Sequence, residues 1–436
     1  MSEPSRRART HLTRSRRTLL GLTAVLALLL AGCTSGSGSS NSTAGASVTL
    51  SYSVWEQPQF ATMQKLAAQF HAENPNITVN VQLTPWEQYW TKLQTSVTGG
   101  SAPDVFWMNI PNFKLYAKGG ALLPISDQVA KDNVDMSNYV SAIADAYKWD
   151  NKIYALPKDV DAVGLWYNKK LFTDAGVKFP DASWTWADLT AAAQKLTDSS
   201  KGIYGIAANA ADQLNYYNTI LQAGGHIISP DGKSSGYDSP EAIKGLQFWV
   251  DLINKYHASP TLAQMTDTAP LDMFTSGKVA MLYGGSWSVL SMVNIPYAKE
   301  NVDVAPMPKG EQVGGVSNGL GNAIYAKTKH PIEAWQFVKF LGSKEAADIL
   351  AATGAVIPAY KGTTDAWVKA TPEFHLQTFV DELAFTSAYP SSVSSAAWSD
   401  FALKEFAAAW SGQESVEDAA KHVADEMNAA LAKENQ

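Results

Sequence analysis

The residues best placed to do chemistry in this chain are indoles set beside acids and amides. Trp55 is followed by Glu56. Trp107 and Asn109 stand close together, with Asp104 just upstream. Asp159 and Asp161 alternate, Gly285 precedes Trp287, and Asn318 precedes Gly319. Tyr216 and Trp398 complete the candidates. A flat indole covers the apolar C–H face of a pyranose, and carboxylates and amides hydrogen-bond its rim of hydroxyls. These groups can hold a neutral sugar, and no activated nucleophile accompanies them.

Each candidate also has a plainer role. Glu56 could be a solvated loop acid, and Asp104 could cap a neighbouring backbone. Asp161 could pair with a lysine such as Lys158. Tyr216 suits a core, and Asn318-Gly319 suits a turn. Trp90, Trp249, Trp335 and Trp410 sit within helical apolar patterns and are expected in the core. Trp86 fits either place, and Trp184 could act as a staple beside a capping threonine.

Other chemistries lack their motifs. Gly319-Leu320-Gly321 has no third glycine for a dinucleotide turn, and no phosphate-binding Gly-Lys-Ser/Thr occurs. No His-Glu-x-x-His is present, and the seven histidines show no metal spacing. Ser-Trp-Ser around Ser288 lacks a hydrolase elbow's glycine frame. The expectation is a binding protein with no catalytic residue, metal or cofactor. A polyamine or another non-sugar solute stays open, as does a secreted glycan-processing enzyme, since glycosidases also combine tryptophans with paired carboxylates.

Charge narrows the partners. The chain carries a net charge of −7, and all its arginines lie before Cys33, which leaves 28 lysines against 40 acids beyond that point. An arginine-free acidic surface excludes nucleic acid. It also disfavours phosphate or carboxylate ligands, for which arginine is the usual clamp.

The elements that must position these groups alternate in type. Val48, Leu50, Tyr52 and Val54 follow a strand period, and Phe60 to Phe70 a helical one. Ile77 to Leu83 alternates again, which makes a βαβ unit with parallel strands. Thr84-Pro85-Trp86-Glu87 predicts a capping box, and Thr185 to Asp188 a second. Asp104 to Met108 predicts a third strand. Ser239-Pro240, His330-Pro331 and Ser415 to Asp418 open later helices. The whole is an α/β fold.

The N-terminus has its own logic. Arginines precede an apolar run from Leu19 to Ala31, too short to span a membrane comfortably. Leu30-Ala31-Gly32-Cys33 closes it and resembles a bacterial lipobox. This predicts a signal peptide over residues 1–32, then a lipidated Cys33 and a flexible Ser/Gly-rich tether over 33–47 that reaches about 20 Å. Ser15-Arg16-Arg17 also resembles a twin-arginine export signal. The expected location is the outer face of the cell membrane, held by lipid.

Read in order, several segments resemble the maltose-binding-protein family of extracellular solute-binding proteins. They are Ala102 to Trp107, Tyr154 to Pro157, Leu165 to Lys169, Ala223 to Gly225, Phe274 to Met281, Gly285 to Trp287 and Ala334 to Leu341. The resemblance implies a two-lobed periplasmic-binding-protein-like fold with ligand in a cleft between lobes joined by crossing strands. Lobe one would comprise 48–157 plus 312–365, and lobe two 158–311 plus 366–436. It implies an acidic sugar contact at Asp161 and stacking indoles at Trp287 and Trp398. It further implies a monomer that delivers a sugar to the permease subunits of an ATP-driven importer.

Overall fold

Strand β1 (Val48–Val54) opens the computed structural model, which describes residues 47–434. The expected signal, Cys33 and nearly all of the tether fall outside those residues. Helix α1 (Phe60–Glu73) buries Met63, Leu66, Ala67 and Phe70, the face its period predicts, and Asn74 ends it. Strand β2 (Ile77–Leu83) returns parallel to β1, in register from Val48↔Ile77 to Val54↔Leu83. The capping box expected at the start of α2 (Trp86–Thr98) does not form. Pro85 takes the cap position, and the Thr84 hydroxyl accepts from the Lys92 ammonium at 3.3 Å. Strand β3 (Val105–Asn109) is buried throughout and runs directly into α3 (Ile110–Lys118).

The middle of the chain holds β4 (Ala155–Pro157), β5 (Asp159–Val160) and β6 (Val163–Asn168). The second capping box does form. Thr185 and Asp188 exchange backbone and side-chain bonds at the start of α4 (Trp186–Leu196). A π-helical turn at Asp212–Tyr216 leads into α5 (Tyr217–Gln222). Ser239 caps α6 (Pro240–Asn254), which buries Leu246, Trp249, Val250 and Ile253. Then come β7 (Met281–Gly285), β8 (Val302–Ala305), β9 (Gly315–Ser317) and β10 (Leu320–Ile324). Helix α7 (Pro331–Leu341), β11 (Ile357–Pro358), β12 (Thr386–Ala388), α8 (Ser395–Trp410) and α9 (Val416–Glu434) follow.

These strands build two main sheets. The larger has the order β2-β1-β3-β10-β4, with β1 parallel to both neighbours and β10 antiparallel to both of its own. The smaller is antiparallel, in the order β8-β6-β7. Two short ladders lie apart from them: β5 pairs β11, and β9 pairs β12. The chain leaves the larger sheet at Pro157 and enters the smaller at Val163, so residues 158–162 are a crossing. It returns between Ala305 and Leu320.

The expected core tryptophans are inside. Trp249 and Trp410 are fully buried, Trp335 nearly so, and Trp90 packs against the core. No helix among the described residues is long and apolar enough to cross a membrane.

Candidate functional site

The carboxyl ends of β1 and β3 point toward the two crossings, the edge where open α/β sheets gather ligands. A cavity of about 280 Å³ opens there. Trp55 and Glu56 line it from just beyond β1, Asn109 from the end of β3, and Asp159 and Asp161 from the first crossing. Asn318 lines it from the return crossing, Asp212 and Gln213 from the π-turn, and Trp287 from the turn after β7. A second hollow of about 520 Å³ shares Trp86, Asn109, Asp212, Gln213 and Asn318 with the first. It extends toward Tyr389, Ser399 and Asp400. The two form one elongated cleft.

Indoles shape the first hollow. Trp55 is braced edge-on by Tyr89 at 4.8 Å, Trp107 at 5.0 Å and Trp86 at 5.4 Å. Such edge-to-face pairs fix ring orientation as well as burying area. Trp86 is 48% exposed and stands on the wall common to both hollows. Trp287 is partly exposed, and its ring folds back over Gly285, where a Cβ would meet the ring at 2.1 Å. Only glycine leaves that space. Gly285 therefore shapes the wall through Trp287 and does not line the cavity itself.

The polar wall is knotted at the crossings. Asp161 Oδ1 accepts from the Asn318 amide at 2.8 Å and from Gln213 Nε2 at 3.0 Å, and its Oδ2 accepts from the Gly319 amide at 3.3 Å. Burial pushes the Asp161 carboxyl up to about 6, and neighbouring Asp159 adds to the rise against those donors. Gly319 holds φ +68°, where a Cβ would press on Asp159 O and Ile143. Asn318 Oδ1 accepts from the Ile110 amide at 3.1 Å, which ties the start of α3 to the same knot.

Asp159 is nearly fully buried. Its Oδ1 accepts from the Leu320 amide at 2.6 Å and its Oδ2 pairs with Lys158 at 2.7 Å. The lysine pairing suggested for Asp161 thus falls on Asp159. The Lys158 ammonium also donates to Gln59 at 3.0 Å and lies 4.3 Å from the centre of the Trp107 ring. Asn109 caps α3 through Oδ1, which accepts from Asn112, and no protein acceptor among the described residues meets its Nδ2. The Glu56 carboxylate accepts no hydrogen bond among the described residues, and burial raises its carboxyl against the pull of Lys158.

Gly319, like Gly285, lines neither hollow, and four further expected contacts lie elsewhere. Asp104 sits at the amino end of β3, away from the cavity, and accepts from the Ser51 amide, the Ser51 hydroxyl and Thr328. It ties strands together. Trp107 is fully buried and donates to the Tyr52 hydroxyl at 2.6 Å, so it lies beneath Trp55 and Lys158 and not on the wall. Tyr216 is buried among Tyr217, Phe406 and Trp410. Trp398 is 1% exposed, and its indole donates to Ser392 at 3.0 Å. On α8 the neighbours Ala396 and Ser399 reach the second hollow, while Trp398 faces inward.

Asp212, Gln213 and Gln59 were absent from the sequence candidates. A π-turn has no sequence signature, so nothing marked Asp212 and Gln213. Asp212 is fixed by Tyr389 at 2.5 Å and Ser399 at 3.2 Å, both from distant segments.

A family model for bacterial extracellular solute-binding proteins matches residues 55–348. The chain belongs to that family. The multiple sugar-binding protein of Streptococcus mutans is 25% identical over 347 residues, 75% of this chain and 78% of that protein. A Listeria monocytogenes ABC substrate-binding protein, solved in complex with cycloalternan, superposes with a TM-score of 0.84 at 29% identity, covering 88% of this chain and 99% of that one. A solute-binding protein of Thermotoga lettingae, bound to α-D-tagatose, gives 0.79 at 26% identity over 88% of this chain and all of that one. The fold is therefore the two-lobed α/β fold of these binding proteins, and the family is one of binding proteins and not of enzymes.

Proposed function

We propose that this protein is the lipid-anchored, extracytoplasmic binding component of an ATP-driven importer, and that it carries a sugar or oligosaccharide in the cleft. One observation carries the reading. Trp55, Trp86 and Trp287 line the same cavity as Asn109, Gln213, the Asp159 and Asp161 carboxylates of the first crossing and the Asn318 amide of the return crossing. The rings cover a sugar face while the amides and acids take its hydroxyls. The sugar ligands of the Listeria and Thermotoga proteins support it. Two joined hollows suit a ligand longer than one ring.

Lobe one is assigned to the larger sheet and lobe two to the smaller. Strand β9 pairs with β12 of the later chain, which supports a return crossing nearer Asn318 than residue 312. Hinge closure across the crossings would present the loaded form to permease subunits. Export and the anchor rest on the apolar N-terminal run and Cys33.

A thermal-shift and calorimetric screen of residues 34–436 against mono- and oligosaccharides tests the binding. Saturable binding of at least one saccharide, without product, is expected. Turnover of the bound glycan would establish an enzyme instead. Mass spectrometry of the membrane-extracted protein tests the anchor, with acylated Cys33 as the expected N-terminus.

A further inference from the structure

The charge of the cleft is one-sided. Glu56, Asp159, Asp161 and Asp212 line the first hollow, and Glu87 and Asp400 join Asp212 in the second. Among the described residues no lysine or histidine lines either hollow. The Lys158 ammonium beneath the floor is committed to Asp159 and Gln59. A cleft that closed over an uncharged sugar would bury these anions against one cation, and burying unpaired charge is unfavourable.

We propose that the ligand is a saccharide bearing a free amine, whose ammonium is held by the Glu56 carboxylate in the first hollow. The proposal rests on the saccharide reading above and narrows it from a neutral to a cationic sugar. Two features besides the acid count support it. First, the Glu56 carboxylate accepts no hydrogen bond among the described residues, although it shares the cavity wall with Trp55 and Trp86, whose faces attract cations. Asp159, Asp161 and Asp212 already have protein donors. Second, Asn109 Nδ2 and Gln59 Nε2 are donors without protein acceptors among the described residues. A simple polyamine offers them no acceptor oxygen, whereas a sugar hydroxyl does. The site thus asks for cation and hydroxyl on one molecule.

The test is calorimetry at pH 7 on the full folded body with matched sets. One set is glucosamine, N-acetylglucosamine and glucose. The other is chitotriose, its N-acetylated form and cellotriose. Spermidine is a separate arm. The expected result is that the tightest free-amine saccharide binds at least tenfold more tightly than every neutral counterpart. Glu56→Gln should cut that preference to about threefold or less while the unliganded melting temperature stays within error, and a preference that survives the substitution overturns the assignment to Glu56. A neutral saccharide binding as tightly as its amine counterpart overturns this proposal and leaves the saccharide reading standing. Silence from every saccharide, or binding of spermidine alone, overturns both.

Discussion

Gln213 Nε2 lies 3.0 Å from Asp161 Oδ1, and through this bond a π-turn reaches the crossing that joins the two sheets. The same carboxylate accepts from the Asn318 and Gly319 amides of the return crossing. Asp161 is therefore a knot between three segments as well as a wall of the cavity. The acidic sugar contact implied for it would have to share oxygens already used by the fold. Glu56, with no such ties, is the carboxylate best placed to meet a ligand.

Two tryptophans that looked alike in sequence should separate cleanly by experiment. Trp287 is partly exposed on the cavity wall, while Trp398 is inside and bonded to Ser392. Trp287→Ala is expected to lower saccharide affinity at least tenfold, about 1.4 kcal/mol, with little change in unliganded stability. Trp398→Ala should cost about 3–5 kcal/mol of stability, the usual range for a buried aromatic. Chemical denaturation and calorimetry on both variants check the pair.

The sequence carried the local elements well, because period and caps are local. The βαβ start, the Thr185 box and the Ser239 cap all appear where the residues predict them. The Thr84 box failed because Pro85 took the cap position. At the site, Trp55, Glu56, Asn109, Asp159, Asp161, Trp287 and Asn318 reach one cavity. Trp107 and Trp398 do not, since which face of a strand or helix meets the cleft depends on packing that no motif records. Asp212 joins the wall through Tyr389, a partner 177 residues away, and no spacing rule links them.

The Lys158–Asp159 pair should be sensitive to losing one member. Both side chains are almost fully buried, and the lysine also sits against Trp107. Lys158→Met keeps the stem over the indole but leaves the Asp159 carboxylate without its cation. Breaking a buried pair this way costs about 3–5 kcal/mol. A double variant, Lys158→Met with Asp159→Asn, should recover a substantial part of that loss. Urea unfolding of the two single variants and the double closes the cycle.

Asp161 gives stability a defined pH dependence. Its folded-state carboxyl is raised from 3.8 to about 6. Below the unfolded value both states hold the proton and the group contributes nothing. Between about pH 4 and 6 the unfolded chain ionises first, so stability from this group falls as pH rises. Above about 6 both states are ionised and the loss levels off, at about 3 kcal/mol by the size of the shift. Asp161→Asn should remove this component, so the difference between wild-type and variant stability should decline from pH 4 to 6 and flatten above. Melting curves across that range in one buffer series measure it.

Gly319 should tolerate no side chain. It combines a left-handed φ of +68° with a tight approach, since a Cβ would lie 2.7 Å from Ile143 Cδ1 and 2.8 Å from Asp159 O. The Ile143 methyl can rotate away, but the Asp159 carbonyl is backbone in the first crossing and cannot. Gly319→Ala therefore strains φ and pushes the two crossings apart, a cost of about 1–3 kcal/mol for the backbone alone. The amide that donates to Asp161 would move with it. The expected outcome is a lower melting temperature together with weaker saccharide binding. Gly362→Ala serves as the control, with a positive φ but open space around its Cβ position, and should lower stability without touching affinity. Paired thermal and calorimetric measurements distinguish strain at the knot from strain at an ordinary turn.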